Sequence, residues 1–231
     1  MWSFTPDELE AIRLSLKVAL WATFGSLPPG LFVAYALARW RFPGKLLLDS
    51  LVHLPLVMPP VVTGYLLLLT FGRRGPIGAP LAEYLGIVFS FRWTGAALAC
   101  GVMAFPLLVR AVRLSFEAVD RRLEDAAGTL GASRPWVFAT VTLPLAMPGV
   151  VAGMVLAYAK ALGEFGATIT FVSNIPGETQ TLPSAIYAFT QVPGGEAGAL
   201  RLTLVAIGLA FAAMIASELL ARPVARMVRG I

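Results

Sequence analysis

Five long apolar segments constrain this chain more than any other feature of its sequence. They cover residues 14–38, 46–71, 93–112, 141–162 and 200–220. Each segment is long enough to cross the roughly 30 Å hydrocarbon core of a bilayer. Backbone N–H and C=O groups find no water there, so continuous apolar segments of this length span membranes as helices. The sequence therefore predicts an all-α polytopic membrane protein with about five transmembrane helices and a single transmembrane domain, residues 1–231.

The composition agrees with a membrane location. Hydrophobic residues make up 58% of the chain and charged residues 13%, whereas soluble domains carry about a quarter charged residues. The net charge of +5 does not indicate nucleic acid binding, because the basic residues cluster in short loops beside the apolar segments. The one cysteine, Cys100, lies within an apolar segment, which excludes a disulfide framework and a cysteine-based metal cluster.

Prolines and glycines predict interruptions of the helical pattern. Residues 27–30, Leu-Pro-Pro-Gly, are expected to break the first segment midway. The second segment contains His53, Pro55, Pro59 and Pro60. A break inside a bilayer must face protein or a cavity, because lipid cannot satisfy the freed backbone groups.

Two connections are long enough to have structure of their own. Residues 72–92 contain an apolar stretch, 81–91, that is too short to span a bilayer and predicts a surface or interfacial helix. Residues 163–198 are expected to be irregular, and long irregular stretches in compact proteins are usually functional or mobile.

The distribution of basic residues predicts the orientation, because cytoplasmic loops are enriched in lysine and arginine. With the N-terminus outside, the inner side carries Arg39, Arg41, Lys45, Arg110, Arg113, Arg121, Arg122, Arg134, Arg222, Arg226 and Arg229. The outer side carries Arg73, Arg74, Arg92 and Arg201. This bias predicts an external N-terminus and a cytoplasmic C-terminus. Acidic residues near the start, in place of a basic region, do not indicate a cleavable signal peptide.

A charged stretch, residues 120–148, separates the third and fourth apolar segments. Asp120 is a suitable N-cap for a first short helix, and Gly131 suits the left-handed residue that ends it. Ser133 is a candidate N-cap for a second helix, with Pro135 in its first turn. Pro144 and Pro148 are expected to interrupt the chain after this second helix. The stretch predicts a helix–turn–helix element, although an amphipathic loop resting on the membrane would have similar residues.

The spacing within this stretch resembles the EAA loop of bacterial and archaeal ABC importer permeases. In that family Glu-Ala-Ala is followed by three residues, Gly, nine residues and Ile-x-Leu-Pro. Here the corresponding residues are Asp125, Ala126, Ala127, Gly131, Val141, Leu143 and Pro144. The chain departs from the pattern at Asp125, where glutamate is usual although Glu124 is adjacent, and at Val141, where isoleucine is usual.

The most informative polar cluster inside the apolar segments runs from Lys160 to Thr168. Lys160 and Glu164 are four residues apart on a predicted helix and can pair. Ionisable residues at membrane depth indicate functional sites by default. The alternative is a pair near the interface that fixes the depth of the fourth segment.

Further motifs resemble the molybdate permease subgroup of ABC importers, and the resemblance covers nearly the whole chain. They are Arg41-Phe42-Pro43-Gly44-Lys45, the proline-rich residues 54–61, Gly163-Glu164-Phe165-Gly166-Ala167-Thr168, Asn174-Ile175-Pro176-Gly177-Glu178-Thr179 and Leu182-Pro183-Ser184-Ala185-Ile186-Tyr187. Sulfate and thiosulfate permeases share much of this pattern. Five spans in place of six favour molybdate over sulfate, whereas tungstate and molybdate remain alternatives.

The resemblance implies the ABC importer permease fold, with residues 120–144 as a cytoplasmic coupling loop. It implies a prokaryotic plasma membrane location, a homodimer with a second permease copy, two cytoplasmic ATP-binding subunits, and an external substrate-binding protein that delivers molybdate. The implied ATPase-coupling residues are Glu124, Asp125, Ala126, Ala127, Gly131, Leu143 and Pro144. The candidates for the translocation pathway are Pro59, Pro60, Glu164, Phe165, Gly166 and Thr168.

The sequence itself contains no motif for ATP binding and no plausible catalytic triad, so it predicts neither an enzyme nor a cofactor or metal site. Energy for transport would then come from a partner or from an ion gradient. A secondary transporter using Lys160, Glu164 and His53 as proton sites is the first alternative, and it leaves the helix–turn–helix stretch unexplained. A non-transporting scaffold or insertase subunit is the second.

Overall fold

A computed structural model describes residues 4–229, so the outermost residues of the expected domain lie outside it. Throughout this range the chain forms helices joined by short turns. The helices are α1 (Pro6–Arg39), α2 (Lys45–Val57), α3 (Pro60–Phe71), α4 (Gly78–Leu85), α5 (Trp93–Ala118), α6 (Arg121–Thr129), α7 (Arg134–Val137), a π-helical segment (Phe138–Thr142), α8 (Leu143–Leu162), α9 (Gly166–Val172), α10 (Leu182–Thr190) and α11 (Glu196–Arg229).

Four helical stretches are long and apolar enough to cross a membrane. They are Pro6–Arg39, Trp93–Ala118, Arg134–Leu162 and Glu196–Ala216, with α2 and α3 together forming a fifth if the bent pair is one span. The prediction of an all-α membrane protein with about five spans is confirmed. The side chains of Arg222, Arg226 and Arg229, which entered the orientation argument, lie outside the described part.

The first helix is continuous, and the expected break at residues 27–30 is wrong. Helix α1 runs through Pro28 and Pro29 to Arg39. It packs along α5 on both sides of the prolines, and Gly30 lies so close to Leu108 that a Cβ atom would come within 2.8 Å of that side chain. Tertiary packing of this extent overrides the unfavourable helix propensity of proline.

The second apolar segment is not one continuous helix. Helices α2 and α3 meet at a bend of 116°, and Pro59 and Pro60 stand at the break. Neither proline has an N–H group for a continuing helix, and Pro60 instead occupies the first position of α3, where no such group is needed.

Helices α1, α5 and α8 form the centre of the molecule, and α11 packs on the far side of α8. The buried core contains many alanines, among them Ala19, Ala96, Ala99, Ala104, Ala146 and Ala157. Small residues let neighbouring backbones approach closely, which is how helices associate where the surrounding solvent is as apolar as the side chains.

Two expectations about the connections are wrong. The surface helix predicted at residues 81–91 is instead α4, which begins at Gly78 and ends where Gly86 takes a left-handed φ of +66°. Residues 163–198 are not irregular throughout, since they contain α9 and α10. Proline near the start of α10 suits the first turn of a helix, and both α9 and α10 are too short for span-length criteria to detect.

Polar contacts join the N-terminal end of α1 to α10 and α11. Glu8 and Thr5 form a reciprocal cap at the start of α1. The same Glu8 carboxylate accepts Nη2 of Arg201 at 2.7 Å, and its side chain is completely buried. Ser15 Oγ accepts the backbone N–H of Leu182 at 2.6 Å. This end of the bundle is therefore fixed by an ion pair and a hydrogen bond between elements far apart in the sequence.

Candidate functional site

The stretch between α5 and α8 contains a short helix with a well-formed end at each side. The Asp120 carboxylate accepts the backbone N–H of Arg122 at 2.9 Å and caps the start of α6. At the other end, the N–H of Gly131 bonds to the carbonyl of Gly128, and the N–H of Ala132 bonds to that of Ala127. Gly131 has φ +87°. These are the two hydrogen bonds of a Schellman motif, which needs a left-handed residue at this position.

The second helix of this stretch continues into the membrane span, so the expected interruption at Pro144 and Pro148 is wrong. Helix α7, the π-helical segment and α8 follow one another without a break. The N–H of Leu143 bonds to the carbonyl of Phe138, five residues earlier. The wider π turn precedes Pro144, which stands in the first turn of α8, the part of a helix that tolerates proline best.

Helix α6 projects from the body of the protein. None of its residues is buried. Leu130, which follows it, is 89% exposed, and Leu123 and Trp136 are also largely exposed. Among the residues implied for ATPase coupling, Asp125, Ala126 and Pro144 are exposed and Ala127 and Leu143 are partly exposed. An exposed apolar surface of this kind marks a site of interaction.

The two neighbouring carboxylates on α6 face different surroundings. Glu124 is turned towards the body, where its Oε1 accepts Arg39 Nη2 at 3.1 Å and Thr142 Oγ1 at 2.7 Å. Asp125 is exposed and makes no side-chain hydrogen bond within the described residues. Sequence reasoning missed Arg39 and Thr142, because nothing in the local pattern links residues that far apart.

The pathway candidates come together around two breaks in the spans. One break lies between α2 and α3, at Pro59 and Pro60, and the other lies between α8 and α9. A Cβ atom on Gly166 would lie 2.7 Å from the ring of Pro60, and one on Gly64 would collide with the backbone of Ala167. Helices α3 and α9 therefore pack backbone to backbone, and substitutions at Gly64 would separate them.

Glu164 lies between α8 and α9 and is 2% exposed. Its Oε2 accepts Lys160 Nζ at 2.6 Å, and its Oε1 accepts the backbone N–H of Ala167 at 3.0 Å. The carboxylate thus joins the end of α8 to the first turn of α9. Next to it, Thr168 donates to the carbonyl of Phe165, and the Phe165 ring lies 5.2 Å from that of Tyr187.

Thr63, next to Gly64 on α3, is a residue that the sequence did not single out, whereas Tyr187 belongs to one of the motifs named above. Thr63 is buried, and its Oγ1 has no hydrogen-bond partner in the described part of the chain.

His53 belongs to a different cluster, where its Nδ1 lies 3.4 Å from Asp49 and Asp49 binds Arg113. Lys160, Glu164 and His53, the proton sites of the secondary-transport alternative, therefore do not form one cluster of ion pairs in the described part of the chain.

Replacing Glu164 with glutamine is expected to reduce substrate uptake at least several-fold while the protein still inserts. The amide oxygen can still accept the N–H of Ala167, but the Lys160 ammonium loses its counter-charge at membrane depth. Uptake per inserted protein would be measured in vesicles, with Glu83→Gln as a control at an exposed position outside the spans. Unchanged uptake and assembly would show that Glu164 has no essential role in the pathway.

Comparisons with known proteins agree with these features. The family described as the binding-protein-dependent transport system inner membrane component matches residues 26–226. The molybdenum transport system permease protein ModB of Escherichia coli strain K12 is 60% identical over 218 residues, which cover 94% of this chain and 95% of that protein. ModB of Haemophilus influenzae is 56% identical over 215 residues, which cover 93% and 94%. The sulfate transport system permease protein CysW of Synechococcus elongatus is 42% identical over 174 residues, which cover 75% and 60%.

Solved structures show the same fold at low sequence identity. An inward-facing MetNI methionine ABC transporter matches with a TM-score of 0.70 and 16% identity, over 94% of this chain and 95% of that chain. A bacterial alginate ABC transporter in complex with an alginate pentasaccharide-bound periplasmic protein also matches with a TM-score of 0.70 and 16% identity, over 97% and 80%. At this level of identity the likeness concerns the fold alone.

Proposed function

Because the chain belongs to the family of binding-protein-dependent transport system inner membrane components, we propose that it is the permease subunit of an ATP-driven importer for molybdate. The single observation that carries this proposal is the 60% identity to a molybdenum transport permease over almost the whole length of both chains. The chain is a multi-pass protein of the inner membrane and supplies no ATPase site of its own.

Molybdate is favoured over sulfate by the degree of similarity. The relatives named for molybdenum transport match over more of the chain and at higher identity than the relative named for sulfate transport. Tungstate stays an alternative substrate, because it differs little from molybdate in size and charge. Residues 174–183 support an oxyanion, since hydroxyls and backbone N–H groups such as theirs can bind a tetrahedral anion without a full counter-charge.

The functional unit is proposed to be a homodimer with two ATP-binding subunits on the cytoplasmic side and a substrate-binding protein outside. Large apolar side chains on α2 and α3 are exposed and available to a second copy or to lipid, among them Leu46, Leu47, Leu51, Val57, Tyr65 and Leu69. We propose that the N-terminus lies outside and the C-terminus in the cytoplasm, as the distribution of lysine and arginine predicts. This orientation puts α6 on the side where ATP is available.

Helix α6 is proposed to receive the movement of the ATPase. The exposed apolar side chains of Leu123 in α6 and Leu130 just after it suit a cleft on a partner. A short rigid helix held at both ends transmits rigid-body motion, which a flexible loop could not do. The continuous path from α7 through the π-helical segment into α8 then leads to Glu164 and the break at α9.

Reconstitution with the ATPase and the binding protein in proteoliposomes tests this proposal. Molybdate uptake is expected to require ATP and both partners, and to persist after the proton gradient is dissipated. Competition by tungstate and by sulfate would define the selectivity among oxyanions. Uptake that collapses with the proton gradient while ATP is held constant would instead favour the secondary transporter, and a complex without substrate-dependent ATPase stimulation would favour a scaffold.

A further inference from the structure

Beyond its neighbours in the chain, α6 is bound to the rest of the described protein by hydrogen bonds to one carboxylate oxygen. Glu124 Oε1 accepts Arg39 Nη2 at 3.1 Å and Thr142 Oγ1 at 2.7 Å. Most of the other backbone contacts of α6 are with its neighbours in the chain, α7 and the π-helical segment. Because no residue of α6 is buried, apolar packing contributes little to its position. The hydrogen bonds that Glu124 accepts must therefore fix much of the orientation of α6.

Arg39 connects this carboxylate to two membrane spans. It is the last residue of α1, and its side chain is 8% exposed. The same Nη2 that binds Glu124 also donates to the carbonyl of Val119 at 2.9 Å, directly after the end of α5. One guanidinium group thus holds the inner ends of α1 and α5 together with α6. A hydrogen bond between two charged groups is stronger than a neutral one.

Thr142 connects the carboxylate to the third central span. It is the last residue of the π-helical segment, immediately before α8, and it is 1% exposed. Its hydroxyl donates to Glu124 from the place where the helix changes from the wide π turn to the α-helical turn. Single π turns often lie at functional sites and form points where a helix can bend.

We propose that Glu124, Arg39 and Thr142 form a joint that transmits movement of α6 to α1, α5 and α8, while Asp125 faces the ATPase. The proposal rests on the importer function and assigns different roles to two adjacent acidic residues. Glu124 is a positioning residue whose partners lie within this chain. Asp125 is exposed and is free to meet a basic group of the partner subunit. Arg39 and Thr142 belong to the joint even though neither would touch the ATPase.

The test compares Glu124→Gln with Asp125→Asn in the reconstituted complex. Each change removes one charge from α6 and keeps the shape of the side chain. Glu124→Gln is expected to lower the molybdate imported per ATP hydrolysed about tenfold, as loss of a charge-assisted hydrogen bond would, while the ATPase stays bound. Asp125→Asn is expected to weaken ATPase binding and to leave the ratio of transport to hydrolysis unchanged in the complexes that form.

Three further variants test the joint, and the two at Thr142 do so independently of how well Glu124→Gln folds. Thr142→Val removes only the hydroxyl and is expected to lower the same ratio, whereas Thr142→Ser keeps it and should behave as the unaltered protein does. Arg39→Met combined with Glu124→Gln should be little worse than Arg39→Met alone, because the contact between Arg39 and Glu124 is already lost in the single variant.

Either of two outcomes would overturn the joint. One is a normal transport-to-hydrolysis ratio in both Glu124→Gln and Thr142→Val. The other is release of the ATPase by Glu124→Gln to the same extent as by Asp125→Asn, which would place Glu124 at the partner interface. Failure of the importer function is a separate result, because the unaltered complex would then show no ATP-dependent molybdate uptake.

Discussion

Replacing Arg201 with leucine is expected to destabilise the folded protein by about 3 kcal/mol, the low end of the range for removing one partner of a buried ion pair. The Glu8 carboxylate is completely buried, and Arg201 contacts both of its oxygens. Without the guanidinium, the carboxylate keeps only the backbone N–H of Thr5. The low end of the range applies because the Arg201 side chain is partly exposed. The midpoint of thermal unfolding in detergent, followed by circular dichroism, should fall by about 6–12 °C.

Two matched variants separate loss of the ion pair from loss of a charge. Arg13→Leu removes an exposed arginine from α1 and should change the midpoint little. Glu8→Met combined with Arg201→Leu should recover much of the stability, since replacing a whole buried pair with apolar residues is often neutral. An Arg201→Leu protein that unfolds at the same temperature as the unaltered protein would show that this contact does not hold the ends of α1 and α11 together.

The local features of α6 could be predicted because they depend on neighbours in the sequence. An acidic residue before a helix can cap it wherever the helix lies, and Asp120 does so. The left-handed backbone at Gly131 likewise follows from short-range sterics. Apolar segments of sufficient length predict spans for the same reason, because each must bury its backbone polar groups within itself.

The effect of each proline could not be predicted, because it depends on tertiary packing. Pro28 and Pro29 lie inside a continuous helix, whereas Pro59 and Pro60 stand at a bend of 116°. The first pair is supported on both sides by α5. The second pair has α9 as its neighbour, which packs against α3, with Gly166 close to the ring of Pro60. The two pairs look alike in the sequence.

Contacts between distant residues were equally invisible to sequence reasoning. Glu8 and Arg201 are separated by 193 positions, and Arg39 and Glu124 by 85. The pattern of the coupling loop includes both Glu124 and Asp125, but only the fold shows which of them faces inward. Helical periodicity shows only that Glu124 and Asp125 lie on different faces of α6. The position of α1 decides which of the two faces meets the protein.

Helix α8 connects the two regions that the function requires. Its 20 residues extend about 30 Å, close to the thickness of a hydrocarbon core. Thr142 and the joint at α6 lie at one end, and Glu164 with the break before α9 lies at the other. Helix α9 follows α8 and packs on α3. A tilt of α8 would therefore move the break between α8 and α9 together with the break between α2 and α3. Coupling between α6 and the proposed pathway residues around Glu164 therefore needs no flexible intermediate.

Replacing Gly131 with valine is expected to reduce ATP-driven uptake at least tenfold without preventing insertion. The residue has φ +87°, and a Cβ atom there would meet no neighbouring atom within 4 Å. The penalty is therefore conformational and not a clash within this chain. A left-handed backbone costs an L-residue about 1–2 kcal/mol, and β-branched residues suffer most. The turn would relax, the Schellman hydrogen bonds at the end of α6 would be lost, and the direction of Leu130 would change.

Two further substitutions test this explanation. Gly131→Asn should retain most of the uptake, because asparagine tolerates the left-handed region. Gly128→Ala adds a methyl group on the same helix, where a Cβ also meets nothing, and it should be tolerated because Gly128 is helical. Uptake, inserted protein and ATPase activity would be measured for all three. Normal uptake in Gly131→Val would count against a coupling role for α6, whereas equal losses in the valine and asparagine variants would indicate a side-chain collision with the ATPase instead of backbone strain.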